Sequence, residues 1–384
     1  TDNLDVVGTG TEISGFGTLV FGGSSGQNID VEADELPSNQ VTFGTGAQIL
    51  DISPVSVGVA DLSASEITLA NLGAAGTDEI DLRTNGTLRI DGDGVGNFTN
   101  AGAIDLDGSS TATLQTEGDL DVTNFNNVTN FQTLESVGTG VDITNGDTAR
   151  TINGDSGDNV IVGGTAVDTV NAGSGADDIT GGGGADVINA GSGADIITVG
   201  DDKDDVDLGS ADGATDTVNQ TSVTATDRAI ISSFEGGVSG DVFDFAVTGT
   251  TLSGTDDFGS SNSEQDLGSA GAVMLDAETE IGFVTNDTIA NDLSTSSATA
   301  DLDGTNLLSA QGGTITGVQP SGQDSDIVLF AIQDNFGNVG IYFGDEGSSG
   351  ADADAEFEAD DISLIGVLED TTLGNLGVNN FADT

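Results

Sequence analysis

Five aspartates, Asp168, Asp177, Asp186, Asp195 and Asp204, recur nine residues apart. Two residues after each stands an apolar side chain: Val170, Ile179, Ile188, Ile197 and Val206. Four residues before each stands a glycine: Gly164, Gly173, Gly182, Gly191 and Gly200. A carboxylate is a hard oxygen ligand, and a glycine-rich turn leaves backbone carbonyls open beside it. Carboxylate and carbonyl oxygens, about six to a site, suit Ca2+; Mg2+ demands a tighter octahedron and keeps its waters. Written as units, the run is NGDSGDNVI (153–161), GGTAVDTVN (163–171), AGSGADDIT (172–180), GGGGADVIN (181–189), AGSGADIIT (190–198) and VGDDKDDVD (199–207). In this alignment Val162 is an extra residue, which places Asp158 ten before Asp168. A looser unit at 209–219 adds Asp216 and Val218.

The elements that position these carboxylates follow from the same nonamer. Its glycine half packs no side chains and accepts positive φ, so it is a turn. Its other half is a strand of about three residues with one side chain facing inward. Strands this short need neighbours, and stacking copies builds a continuous stripe of Val and Ile. Each nonamer reverses the chain, so turns two units apart share an edge. One edge is expected to collect Asp158, Asp177 and Asp195, and the other Asp168, Asp186 and Asp204. The expected metal-binding set adds Asp216 and the turn glycines Gly164, Gly173, Gly175, Gly182, Gly184, Gly191 and Gly193.

These nonamers follow the pattern GGxGxDxUx and resemble the RTX calcium-binding β-roll proteins. GGGGADVIN at 181–189 matches it completely, whereas 199–207 departs at Val199 and Asp202. The resemblance implies several bound Ca2+ ions, a parallel β-roll, an extracellular or cell-surface location, and export by type I secretion machinery. The segment DRAIISSFEGGVSGDVFDF (227–245) is similar to the piece that closes such rolls, with Ile230, Phe234, Val242, Phe243 and Phe245 as an apolar plug. The opening residues TDNLDVVGTGTE have neither the basic nor the apolar segment of a secretory signal, which is consistent with that route.

Residues 1–150 alternate apolar and polar positions in runs such as QVTFG (40–44), QILDIS (48–53), EIDLR (79–83) and DLDVTNF (119–125), separated by Gly, Asn, Asp or Ser. This patterning predicts a β-rich domain, read as a β-solenoid. Residues 151–220 are the roll, and 221–384 a capping and β-rich assembly domain. In the last region a hairpin of 326–334 and 337–345 turns at Asn335-Phe336 and is followed by a strand in 360–368. Stretches 253–270 and 291–304 are expected loops, and 345–361 an acidic loop. The fold class is therefore all-β, a β-solenoid or β-roll with parallel stacked turns flanked by β-rich domains. The flanks are loosely similar to those of RTX-type S-layer proteins of Gram-negative bacteria.

Composition narrows the function. The chain of 384 residues has 66 acidic and 5 basic side chains, a net charge of −61, and no His, Cys or Trp. That excludes thiolate and histidine-based catalysis, disulfides and zinc–thiolate sites. With so few cations, nucleic acid and anionic membrane surfaces are not partners. No run of 18 apolar residues offers a membrane span. So many carboxylates repel one another unless salt or bound divalent cations screen them. The expected function is a secreted, non-enzymatic Ca2+-binding protein that folds on the ion and assembles with itself into a surface array or filament. Alternatives are an adhesin or biofilm-matrix protein binding cell-surface polysaccharide, and the non-catalytic part of a polysaccharide-active enzyme.

Overall fold

The computed structural model describes residues 104–209, 212–245, 279–298, 327–345 and 362–382 continuously, and elsewhere individual strands and single positions. The chain divides into two compact units, Thr1–Asp177 and Asp178–Thr384.

In the first unit every strand pair among the described residues is parallel. Gln27–Glu32 lies beside Gln48–Ser53, which lies beside Asp78–Leu82, which lies beside Ile104–Thr116. Next come Asn127–Ser136, Thr151–Asn153 and Thr169–Ser174. A parallel neighbour requires a crossover, and a second parallel set supplies part of it: Leu120–Asp121, Ile143–Thr144 and Val160–Gly164. The registers place apolar residues in columns. Leu88, Leu114, Leu134, Ile152 and Val170 are successive partners, all fully buried. Leu120, Ile143 and Ile161 form the facing column. Each such side chain contributes roughly 1.5–3 kcal/mol by leaving water. The expected solenoid is thus the observed architecture.

In the second unit Ile179, Ile197, Val218, Phe243 and Phe381 form one column of parallel partners. Ile188, Val206, Ile231 and Leu368 form the other. The side chains grow from Val and Ile to Phe as the stack ends. The last neighbours come from far along the chain: Ile362–Leu368 pairs with Ala229–Ser232, and Phe381–Ala382 with Val242–Phe245. Ile362–Leu368 also pairs antiparallel with Val339–Asp345, which pairs antiparallel with Ile327–Asp334. This is the expected hairpin; Asp334 Oδ1 accepts from Phe336 N and Asn338 N, and Gly337 takes φ +104°. Behind it Val284, Leu293, Phe330, Tyr342 and Leu364 form a core with no exposure.

Three expectations in this unit need correction. The stretch 253–270 is not loop throughout, because Ser263–Asp266 is a strand beside Thr279–Ile289. Val242 is half-buried rather than part of the plug; its strand turns Phe243 and Phe245 inward, and Phe245 stacks on Phe343 at 4.9 Å. The expected acidic loop at 345–361 is not loop throughout: Asp345 ends the strand Val339–Asp345, and Glu356–Phe357 is a strand antiparallel to Ile315–Thr316, while 346–355 and 358–361 lie outside the described residues. Among the described residues no helix is long and apolar enough to cross a membrane.

Candidate metal-binding ladder

All seven glycines of the expected site have positive φ: Gly164, Gly173, Gly175, Gly182, Gly184, Gly191 and Gly193, between +100° and +133°. Side chains other than glycine rarely adopt this region. The stacking adds a second constraint. A Cβ on Gly173 would stand 2.0 Å from the carbonyl oxygen of Asp155, and one on Gly200 would stand 1.5 Å from that of Gly182. Turn backbones therefore lie directly against turns one coil away, which brings carbonyl oxygens to the same edge as the carboxylates.

The in-phase aspartates point inward at those edges. Asp168, Asp177 and Asp186 are 1% exposed, Asp195 and Asp204 0%, and Asp216 6%. Within each unit a carboxylate reaches back one coil to a backbone N–H. Arg150 N donates to Asp168 Oδ1 at 2.7 Å, and Asn159 N to Asp177 Oδ1 at 2.8 Å. Asp186 N donates to Asp204 Oδ1 at 2.9 Å, Asp195 N to Asp216 Oδ1 at 2.9 Å, and Asp216 N to Asp241 Oδ1 at 2.9 Å. The Oδ2 atoms of Asp168, Asp177, Asp186 and Asp195 are buried and accept no hydrogen bond, although each residue is held by further contacts.

The electrostatics show what these positions lack. Burial, together with repulsion from Asp202 and Asp205, pushes Asp204 up to about 6. Burial and the charges of Asp241, Asp195 and Asp212 push Asp216 up to about 7. Asp168 and Asp241 are raised as well, chiefly by burial. A buried carboxylate held this way favours a cation, because the charged form is the costly one. Among the described residues no three acidic side chains converge. A site here therefore takes carboxylates from stacked turns and completes its shell with backbone carbonyls, the mixed oxygen set that Ca2+ accepts and that thiolate- or imidazole-seeking metals do not.

The structure changes the register at the start of the ladder. Asp158 is exposed, and its Oδ1 accepts from Ala176 N at 2.8 Å. The buried position one coil before Asp177 belongs to Asn159, 1% exposed. Asn159 is nine residues before Asp168, so Val162 is not an insertion, and nine residues earlier still is Arg150. The unbroken period was legible in the spacing, but Asn and Arg in an aspartate column hid it. Asp155 was also missed. Burial alone would raise its pKa, but donors from Ser136, Gly140, Gly157 and Val141 hold it at about 2. At the far end Asn380, fully buried, donates from Nδ2 to the carbonyls of Gly237 and Asp241.

Residues 151–179 and 180–213 match the family model described as the RTX calcium-binding nonapeptide repeat (4 copies). No curated protein and no solved structure matches the chain. The matched stretches are the ones whose turns stack with buried aspartates, and RTX repeats bind Ca2+ on β-rolls. Residues 151–213 thus carry RTX-type calcium-binding repeats, folded as parallel rungs of a β-roll.

Proposed function

We propose that this chain is a secreted structural protein that folds on Ca2+ outside the cell and assembles with itself into a surface array, an S-layer, or a filament. The observation that carries this reading is the column of buried, in-phase aspartates in a chain of net charge −61. The residues that would hold Ca2+ are Asp168, Asp177, Asp186, Asp195 and Asp204, with Asp216 and the carbonyls of the glycine turns. Bound Ca2+ would supply positive charge where the fold buries negative charge.

The chain's own residues do the rest. Glycines at positive φ let the turns stack, and the Val and Ile columns hold the rungs in register. Where the ion is scarce, the same carboxylates repel one another and favour an open chain suited to passage through a type I exporter. In excess ion, a site at 100 times its dissociation constant adds about 2.7 kcal/mol. Support for self-assembly comes from apolar side chains that the roll turns outward: Val160, Val167, Val187 and Ile196 are each about half exposed. We read the protein as non-enzymatic, because the chain has none of the histidine or cysteine chemistry that most hydrolases use.

Electron microscopy of the purified protein during a Ca2+ titration, from chelator to about 10 mM, tests the reading across the weak extracellular range of sites. Ordered sheets or fibres that form with Ca2+ and dissolve with chelator are expected. A compact monomer that folds but never assembles would overturn the array and favour an adhesin that binds polysaccharide.

A further inference from the structure

The ladder with period nine does not begin with aspartate. Its first two members are Arg150 and Asn159, buried at 5% and 1% exposure. Both side chains donate to carbonyl oxygens of the preceding coil. Arg150 Nε donates to Phe131 O at 3.0 Å and Nη2 to Val128 O at 2.6 Å, while Nη1 donates to Asn145 Oδ1. Asn145 in turn donates from Nδ2 to Asp168 Oδ1 at 3.1 Å. Asn159 Nδ2 donates to Val141 O at 2.8 Å. The neighbouring Asp155 is saturated by protein donors: Ser136 Oγ at 2.5 Å and the N–H groups of Gly140, Gly157 and Val141 at 2.7 to 3.2 Å.

We propose that Arg150 and Asn159 substitute for bound Ca2+ at the first two positions of the ladder, so that these turns fold without the ion. The reasoning is chemical. A Ca2+ site needs free carbonyl and carboxylate oxygens facing one point. At these two rungs the carbonyl oxygens of Val128, Phe131 and Val141 are already taken by side-chain N–H donors, and the Arg150 guanidinium supplies a permanent positive charge beside Asp168. Rungs that begin with Asp186, Asp195 and Asp204 carry no such donor at the ladder position.

The proposal rests on the calcium reading of the repeats, and hydrogen exchange on the full chain separates the two. In excess chelator, residues 128–161 are expected to keep protection at least about tenfold above that of 178–207, which gains it only with Ca2+. R150D, which restores a carboxylate at the ladder position, is expected to lose protection in 128–161 in chelator and regain it with Ca2+. A purely packing role for Arg150 would not give that rescue. Equal exchange of the two wild-type segments in chelator overturns the proposal. So does R150D that is protected in chelator like the wild type, or unprotected with and without Ca2+. If 178–207 is protected in chelator and indifferent to Ca2+, the calcium reading itself fails.

Discussion

Residues 178–207 and the region from Ile327 to Leu368 bury apolar side chains in opposite ways. In the roll each nonamer contributes at most two inward apolar side chains, such as Ile188 with Ala190 or Ile197 with Val199. In the C-terminal sheet, Phe330, Ile332, Tyr342, Ile362, Leu364 and Val367 meet in a single cluster. A buried Val or Ile contributes roughly 1.5–3 kcal/mol, whereas ordering each residue's backbone costs about 1–2 kcal/mol. Two apolar side chains per nine residues, one of them as small as Ala190, still fall short of that cost, so the roll needs another source of cohesion. Its buried aspartates show where that source acts. The C-terminal sheet needs no such help, and its polar turn at Asp334 is satisfied by protein donors alone.

Phe330→Ala gives the largest effect expected from this difference. Phe330 is fully buried in the cluster, and its loss should cost about 3–5 kcal/mol. Tyr342, the sole tyrosine, lies in the same cluster and reports its unfolding by fluorescence. The shift in denaturant midpoint should be the same with Ca2+ and with chelator. A loss seen only with Ca2+ would show that the two regions do not differ as described.

Paired substitutions in the roll come next. Asp186 is buried in the ladder, whereas Asp212 is exposed in the looser turn that follows. Asp186→Ala should raise the Ca2+ midpoint for folding by about tenfold or more, equivalent to at least 1.4 kcal/mol. Asp212→Ala should leave it nearly unchanged. Followed by circular dichroism, equal midpoints would remove the assigned register.

The last test varies pH, and the expected sign is opposite to the usual acid behaviour of carboxylates. Asp204 and Asp216 are raised in the folded state to about 6 and about 7, from an ordinary 3.8. The folded chain then binds protons more readily than the unfolded one between those values, so in chelator its stability should rise as pH falls from 7 towards 4. Below that, Asp155 works the other way. Held at about 2, it contributes stability that is lost as pH falls from 3.8 through 2. Circular dichroism in chelator at pH 7, 5.5 and 4.5 should therefore show more β-structure at each step, and a steady fall would contradict the buried-acid account. With saturating Ca2+ the trend should reverse, because protons compete for the same oxygens.

The nonapeptide period by itself determined the stacked turns, the inward Val and Ile, and the positive φ of the glycines. Each of these follows from local chain geometry repeated in phase. The hairpin around Asn335 was legible for the same reason, since its two strands are adjacent in sequence. Only the tertiary structure decided that Asn159, not Asp158, holds the ladder position, and that Arg150 precedes it in phase. A side chain's role at a buried edge depends on which carbonyls the coil below presents, and composition does not carry that. The tertiary structure also decided that Leu368 and Phe381 complete the columns begun by Ile188 and Ile179. Pairings this distant in sequence leave no local period; they are selected by how well larger side chains fill the end of the stack.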